Sequence, residues 1–192
     1  IAMGINAYGT AAAGACNIAI GDTAMGGSLV TGANNIALGK NAADALLAGA
    51  CNIAMGEGAY STAAEGTYSI AIGTCSMGRG LVTGHNNTAI GNEAGNALLG
   101  GTRNIALGQS ALAGATTPDY AIAIGYSALG GATMTGNDNI GIGANAGDAL
   151  LAGACNIAIG ENAYGGGTTG DQNIAIGIGA LLAADDACFN IA

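Results

Sequence analysis

Asn17-Ile18-Ala19-Ile20-Gly21 returns as Asn35-Ile36-Ala37-Leu38-Gly39, as Asn52-Ile53-Ala54-Met55-Gly56 and, with small changes, down to Asn190-Ile191-Ala192. The glycines of this string are Gly4, Gly21, Gly39, Gly56, Gly73, Gly91, Gly108, Gly125, Gly143, Gly160 and Gly177, spaced 17 or 18 residues apart. The 18-residue step recurs at every third interval, so a 52-residue unit of three repeats sits above the short one. Residues 41–56 (NAADALLAGACNIAMG) and 145–160 (NAGDALLAGACNIAIG) lie two such units apart and agree at 14 of 16 positions. Self-similarity at a fixed short period marks a stacked repeat architecture. The whole of 1–192 reads as a single array.

Aligned on the glycine, each column keeps its own rule. Four residues before it stand Asn17, Asn35, Asn52, Asn87, Asn104, Asn139, Asn156, Asn173 and Asn190, with Ser69 and Ala121 the departures. Three before it the column is Ile except at Thr88; two before it Ala except at Gly141; one before it Ile, Leu or Met. The residue just after the glycine varies freely, as a solvent-facing column does.

Asn-Ile-Ala-Ile places β-branched residues at alternate positions and ends on a glycine, the signal of a short strand. The pieces between are too rich in glycine for a helix of 3.6-residue period. The expected fold is therefore all-β, a parallel β-solenoid (β-roll) of about eleven coils of 17–18 residues. Stacked at ~4.8 Å per coil, they give a rod of roughly 50 Å. The apolar pairs Leu46-Leu47, Leu98-Leu99 and Leu150-Leu151, with Leu29-Val30 and Leu81-Val82, suggest a second wall.

Ile18, Ile20, Ile36, Ile53, Ile70, Ile72, Ile105, Ile122, Ile124, Ile157, Ile159, Ile174 and Ile176 are assigned to the core of the stacked strand, and the asparagines to a ladder of stacked amides. By alternation the isoleucines face one way and Asn, Ala and Gly the other. Both faces are apolar or small, which is how a strand covered on both sides reads. A lone solenoid buries only its inner face, so a further copy of the chain is expected against the other: a homo-oligomer, most simply a trimer.

Composition excludes much else. The 192 residues include 37 Gly, 44 Ala, one Pro and no Trp, with aromatics at 4% and charged residues at 8%. Collagen needs glycine at every third position with abundant proline, and disorder does not fit a chain that is 51% hydrophobic. Three basic residues against twelve acidic ones leave a net charge of −9, too few cations to neutralise a phosphate backbone, so no nucleic-acid partner is expected. No run approaches the apolar length of a membrane-spanning helix. Both ends fall inside a repeat, and the chain is read as an excerpt of a longer fibre.

Residues able to carry chemistry are few and scattered. His85 stands where its 52-residue counterparts are Ala33 and Asn137, and reads as a surface turn residue. Asp44 and Asp148 share a column with Asn96 between them, so no acid pair is built, and the dense Gly-x-Asp strings of calcium-binding solenoids are missing. The glycines follow the coil period and no Gly-Lys-Ser/Thr is present, so no phosphate loop is read. No catalytic, metal or cofactor residue is assigned. Tyr8, Tyr60 and Tyr164 share a column that serves packing, the surface or a sugar platform. Cys16, Cys51 and Cys155 share another; the first two lie two coils apart, roughly 9–10 Å, too far for a disulfide within the chain. Together with Cys75 and Cys188 they read as buried or half-buried thiols, with cross-links between chains as the alternative.

Thr83-Gly84-His85-Asn86-Asn87-Thr88-Ala89-Ile90-Gly91-Asn92-Glu93-Ala94-Gly95 resembles the shaft repeats of bacteriophage tail fibres, and the Asn-Ile-Ala-Ile-Gly string is similar to the head repeats of trimeric autotransporter adhesins. The resemblance extends over all 192 residues. It implies a trimeric left-handed β-roll, extracellular, cell-surface or virion-borne, that acts as the shaft of an attachment fibre and meets its receptor through a tip outside this chain. Two alternatives share some of the pattern. Left-handed β-helix acyltransferases use Ile-Gly-x-x-Ala strings but need three hexapeptides per coil and a catalytic histidine, where each coil here has one clean hexapeptide. An ice-binding solenoid presents a flat array of threonine, where the regular polar column here is asparagine.

Overall fold

A computed structural model describes residues 1–9, 14–27, 29–63, 65–131, 133–182 and 188–192. Among these the regular structure is β-strand alone: β1 (Ala2–Met3), β2 (Ile18–Ile20), β3 (Ile36–Leu38), β4 (Ile53–Met55), β5 (Ile70–Ile72), β6 (Thr88–Ile90), β7 (Ile105–Leu107), β8 (Ile122–Ile124), β9 (Ile140–Ile142), β10 (Ile157–Ile159) and β11 (Ile174–Ile176). They form one parallel sheet in sequence order. Every column pairs with itself, as in Ile53↔Ile70, Ala54↔Ala71 and Met55↔Ile72. The chain is thus a β-solenoid of about ten turns, each of about 17 residues.

The strand faces are opposite to the core assignment. Alanine turns inward, between 0% and 2% exposed from Ala19 to Ala175. The isoleucines on either side of it point out. Ile18, Ile20, Ile53, Ile70, Ile72, Ile122, Ile157, Ile159 and Ile174 are half-buried, and Ile36, Ile105, Ile124 and Ile176 are exposed. The reason is the narrowness of the coil. Its interior is filled by the residue four after each glycine, Met25, Tyr60, Met77, Leu112, Leu129 and Tyr164 among them, and from the far wall by Val30, Leu46, Val82, Leu98, Met134 and Leu150. A larger inward side chain on the strand would collide with these. Gly141 shows the limit: a Cβ there would lie 2.7 Å from Leu129 Cγ, so even alanine is too large opposite that leucine. The apolar pairs of the far wall divide accordingly, Leu46, Leu98 and Leu150 pointing in and Leu47, Leu99 and Leu151 out.

Turning so tight a coil requires left-handed backbone at fixed places. The residue before each Asn column has φ between 56° and 63°, from Cys16 to Phe189. The second and fourth residues after each glycine are left-handed as well, Asn41 (54°) and Ala43 (50°) for instance. The repeat glycines lie at φ +127° to +139°, a region closed to other residues. At Gly39 a Cβ would also meet the carbonyl oxygen of Gly56 at 2.7 Å. Each left-handed non-glycine costs about 1–2 kcal/mol. The cost is offset between coils, because these same residues donate their amides to carbonyls of neighbouring turns: Asn41 to Asp22 and Ala43 to Ala59, each at 2.9 Å.

The buried asparagines join the coils from inside. The amides of Asn35, Asn52 and Ser69 donate to the side-chain oxygens of Asn17, Asn35 and Asn52 at 2.7–2.9 Å. The Nδ2 groups of Asn17, Asn35, Asn52 and Asn87 donate to the carbonyls of Gly32, Gly49, Gly66 and Gly101 at 2.7–2.9 Å. Direct amide-to-amide bonds of 3.0–3.1 Å occur as well, from Asn104 to Asn87 and along Asn190, Asn173, Asn156 and Asn139. The ladder is thus side chain to backbone first and side chain to side chain second.

Its two departures are visible in the packing. Ala121 brings no side-chain acceptor to the ladder, although its own amide still donates to Asn104 Oδ1 at 2.8 Å. Ser69 falls beside a buried tyrosine. Asn17 Nδ2 donates to Tyr8 Oη at 2.7 Å and Asn173 Nδ2 to Tyr164 Oη at 2.9 Å. Ser69 takes the equivalent place for Tyr60, whose Oη is buried without a hydrogen bond. Burial pushes the Tyr60 phenol up to about 12, and Ser69, near enough to temper the shift, closes no bond of good geometry onto it. Ser69→Asn should supply the missing donor, extend the ladder and raise stability by about 1 kcal/mol in denaturant unfolding. An unchanged or lowered midpoint would show that the tyrosine does not need the amide.

Candidate functional site

The residues assigned as strand, ladder and glycine turn build the rod itself and converge on no reactive group. What remains for function is the outer surface, which is ordered in columns because the interior is. The isoleucine columns run its full length as one apolar face. On one side they are bordered by the residue just after each glycine, exposed in ten of the eleven repeats and charged at Asp22, Lys40, Glu57 and Glu161. Lys40 and Glu57 approach to 3.6 Å there, both more than half exposed, a pair that adds little to stability. On the other side they are bordered by the left-handed column that precedes Asn.

Tyr60 and Tyr164 are 0% and 1% exposed, and Tyr8 packs against the same cluster. That column is interior, and it is no sugar platform. The cysteines differ from expectation in the other direction. All five are free; Cys16, Cys155 and Cys188 are exposed, and Cys51 and Cys75 half-buried. Cys16, Cys51 and Cys155 occupy the left-handed corner, which turns them outward.

His85 is exposed, as a turn residue is, but it has a defined task. Its Nδ1 accepts the Thr67 amide at 3.1 Å, which leaves Nε2 to carry the proton of the neutral tautomer. The residue in that column caps the amide one coil back elsewhere too: Asp119 Oδ1 takes the Thr102 amide at 2.7 Å and Asn137 Oδ1 the Asp119 amide at 2.9 Å. Residues that the sequence reading passed over stand beside these caps: Tyr68 and Tyr120, 64% and 50% exposed, and Arg103. Their signal was a corner column whose residue types change in mid-chain. Among the described residues no three His, Cys, Asp or Glu side chains are placed to hold a metal ion, and no helix is long and apolar enough to cross a membrane.

Asp44, Asn96 and Asp148 stack at 52-residue intervals at the edge of the interior. Asp44 Oδ1 and Asn96 Oδ1 are buried without a hydrogen bond. Burial raises the Asp148 carboxyl above its ordinary value, against the lowering effect of its own amide and that of Ala149. The folded chain therefore binds this proton more tightly than the unfolded chain. Stability falls as pH rises from the ordinary carboxylate range through the raised value, and it stays lower above it. Asp148→Asn, which copies Asn96, should raise the unfolding midpoint at pH 7 and lose that advantage in acid. An advantage equal at both pH values would place its origin outside this carboxylate.

No protein-family model, no curated protein and no solved structure matches the chain.

Proposed function

We propose that the chain is a structural spacer in a fibre, built from copies that pack side by side through their isoleucine faces, three around a common axis. The observation that carries this reading is the continuity of that face. It extends without a charged residue from β2 to β11, while the interior of the chain is already closed by alanine, leucine, methionine and tyrosine. Soluble monomers rarely leave a contiguous apolar patch of that extent in water. The outward leucines of the far wall are interrupted, with Glu65 and Thr116 standing among Leu47, Leu81, Leu99 and Leu151, so the isoleucine face is the better surface for association. The mostly charged and polar column after the glycines supplies a wet rim along one side of that face. A location outside the cell or on a virion, and a receptor bound elsewhere on the fibre, belong to the same proposal and rest on the resemblance of the repeat.

Two experiments test it. Ile124 is 37% exposed in the single chain, so Ile124→Asp should leave the coils folded and dissociate the assembly. Sedimentation should show the native chain as a trimer and the variant as a smaller species with an unchanged circular dichroism spectrum. A native chain that sediments at micromolar concentration as a folded monomer overturns the proposal, and thermal hysteresis from such a monomer would assign the flat face to ice instead.

The second concerns length. Contacts in a solenoid are between neighbours, so whole units are gained or lost without strain. Deleting 40–91 joins Gly39 to Asn92 in register and should shorten the rod by ~14 Å in electron micrographs with the oligomeric state retained. A deleted chain that fails to fold would show that the 52-residue units are not interchangeable.

A further inference from the structure

The corner column before Asn changes character in the middle of the rod. Toward one end it holds Cys16, Asn34 and Cys51, and toward the other Cys155, Gln172 and Phe189. Between them stand Tyr68, Asn86, Arg103, Tyr120 and Asp138, all exposed. The neighbouring column reads alanine at 15, 33 and 50, then Thr67, His85, Thr102, Asp119 and Asn137, then Ala154, Asp171 and Cys188. Two aromatic rings and several planar hydrogen-bonding groups thus stand on five consecutive coils of one corner.

The band is held rigidly. The amides of Asn86, Arg103 and Tyr120 are bonded to the preceding coil at 2.9–3.0 Å. The Arg103 guanidinium lies 5.3 Å from the centre of the Tyr120 ring and donates from Nη1 to Tyr120 Oη at 2.8 Å. Thr102 donates its amide and its hydroxyl to Asp119 Oδ1 at 2.7 and 2.8 Å. Tyr68 is 64% exposed, and Tyr120, with the Arg103 guanidinium over one face of its ring, is 50% exposed. They are three coil steps apart, about 14 Å along the rod at the usual strand spacing.

We propose that this band binds a neutral oligosaccharide laid along the rod axis, its sugar rings stacked on Tyr68 and Tyr120 and its hydroxyls bonded by Asn86, Arg103 and the Nε2–H of His85. Tyrosine offers a broad apolar face with a polar tip at small entropic cost, which suits the C–H face of a pyranose. The separation of the rings matches a chain of a few sugars, with amide and guanidinium donors in the gap. A polyanion is disfavoured by the net charge of −9 and by Asp119 and Asp138 beside the one cation of the band. A folded protein partner would want a contiguous apolar centre, whereas polar groups separate these rings. The proposal goes beyond the spacer reading and does not depend on it.

The test uses the full chain with maltohexaose, cellohexaose and chitohexaose, followed by saturation-transfer NMR and calorimetric titration. Asn already occupies this left-handed corner at Asn34 and Asn86, so Tyr68→Asn and Tyr120→Asn remove a ring without disturbing the backbone. Tyr126→Asn, an exposed tyrosine in another column, is the control. At least one saccharide should bind the native chain, about tenfold more weakly after either corner substitution, and equally well in the control. Binding by none of the three, or binding that survives the double variant, overturns the proposal. So does a double variant whose only change is in sedimentation, which would make the band a seam between copies.

Discussion

A turn that closes in 17 or 18 residues around a single three-residue strand has to bend sharply, and it bends where the backbone is left-handed. Among the described residues twenty-nine non-glycines carry that conformation, in three fixed columns. Alone, one such coil would open, because left-handed backbone is unfavourable for every residue but glycine. It persists because each bend aims its amide at a carbonyl of the adjacent turn. Coil geometry and coil stacking are therefore one property. The same constraint fixes what the interior can hold. A strand set so close to its opposite wall accepts only alanine or glycine, and the volume is filled from the bends, where Met25, Tyr60, Leu112 and Tyr164 point inward.

This explains which features were legible in the sequence. The period, the strand and its register could be read directly, since a column of Asn or Ala repeated at 17 or 18 residues has meaning only if the repeats stack. The side on which the interior lies could not. Isoleucine beside alanine suggests an isoleucine core, and only the width of the coil reverses it. Tyr60 and Tyr164 were equally opaque, because the column they share also holds Gly95, Met77 and Leu112, a mixture that looks tolerant and is in fact a series of fillings for one narrow space. Ser69 and Ala121 look like noise in the Asn column, yet each marks a place where the internal ladder changes partners. Exposed groups were hardest. Tyr68, Arg103 and Tyr120 belong to no motif, and their proximity appears only when coils are laid on one another.

Interior and exterior follow different rules. Inward columns are restricted by volume and hydrogen bonding, and a change there is met by a neighbour, as Leu129 fills the space that Gly141 leaves. Outward columns are free to diverge coil by coil, since a substitution on a corner touches only the coils above and below. A rod of this kind holds one scaffold constant while its edges acquire separate properties, an apolar strip along one side and a polar aromatic band beside it.

The internal ladder also has a mechanical meaning. Its hydrogen bonds run from coil to coil, along the rod rather than across it. A pull on the two ends loads successive joints in series, each bearing the whole force, so the rod parts at its weakest joint. Between the terminal coils the ladder is thinnest beside Ala121, whose side chain offers the asparagine of the next coil no amide. In series loading the strength of the other joints is no help, so one missing rung limits the ladder however well the rest is bonded.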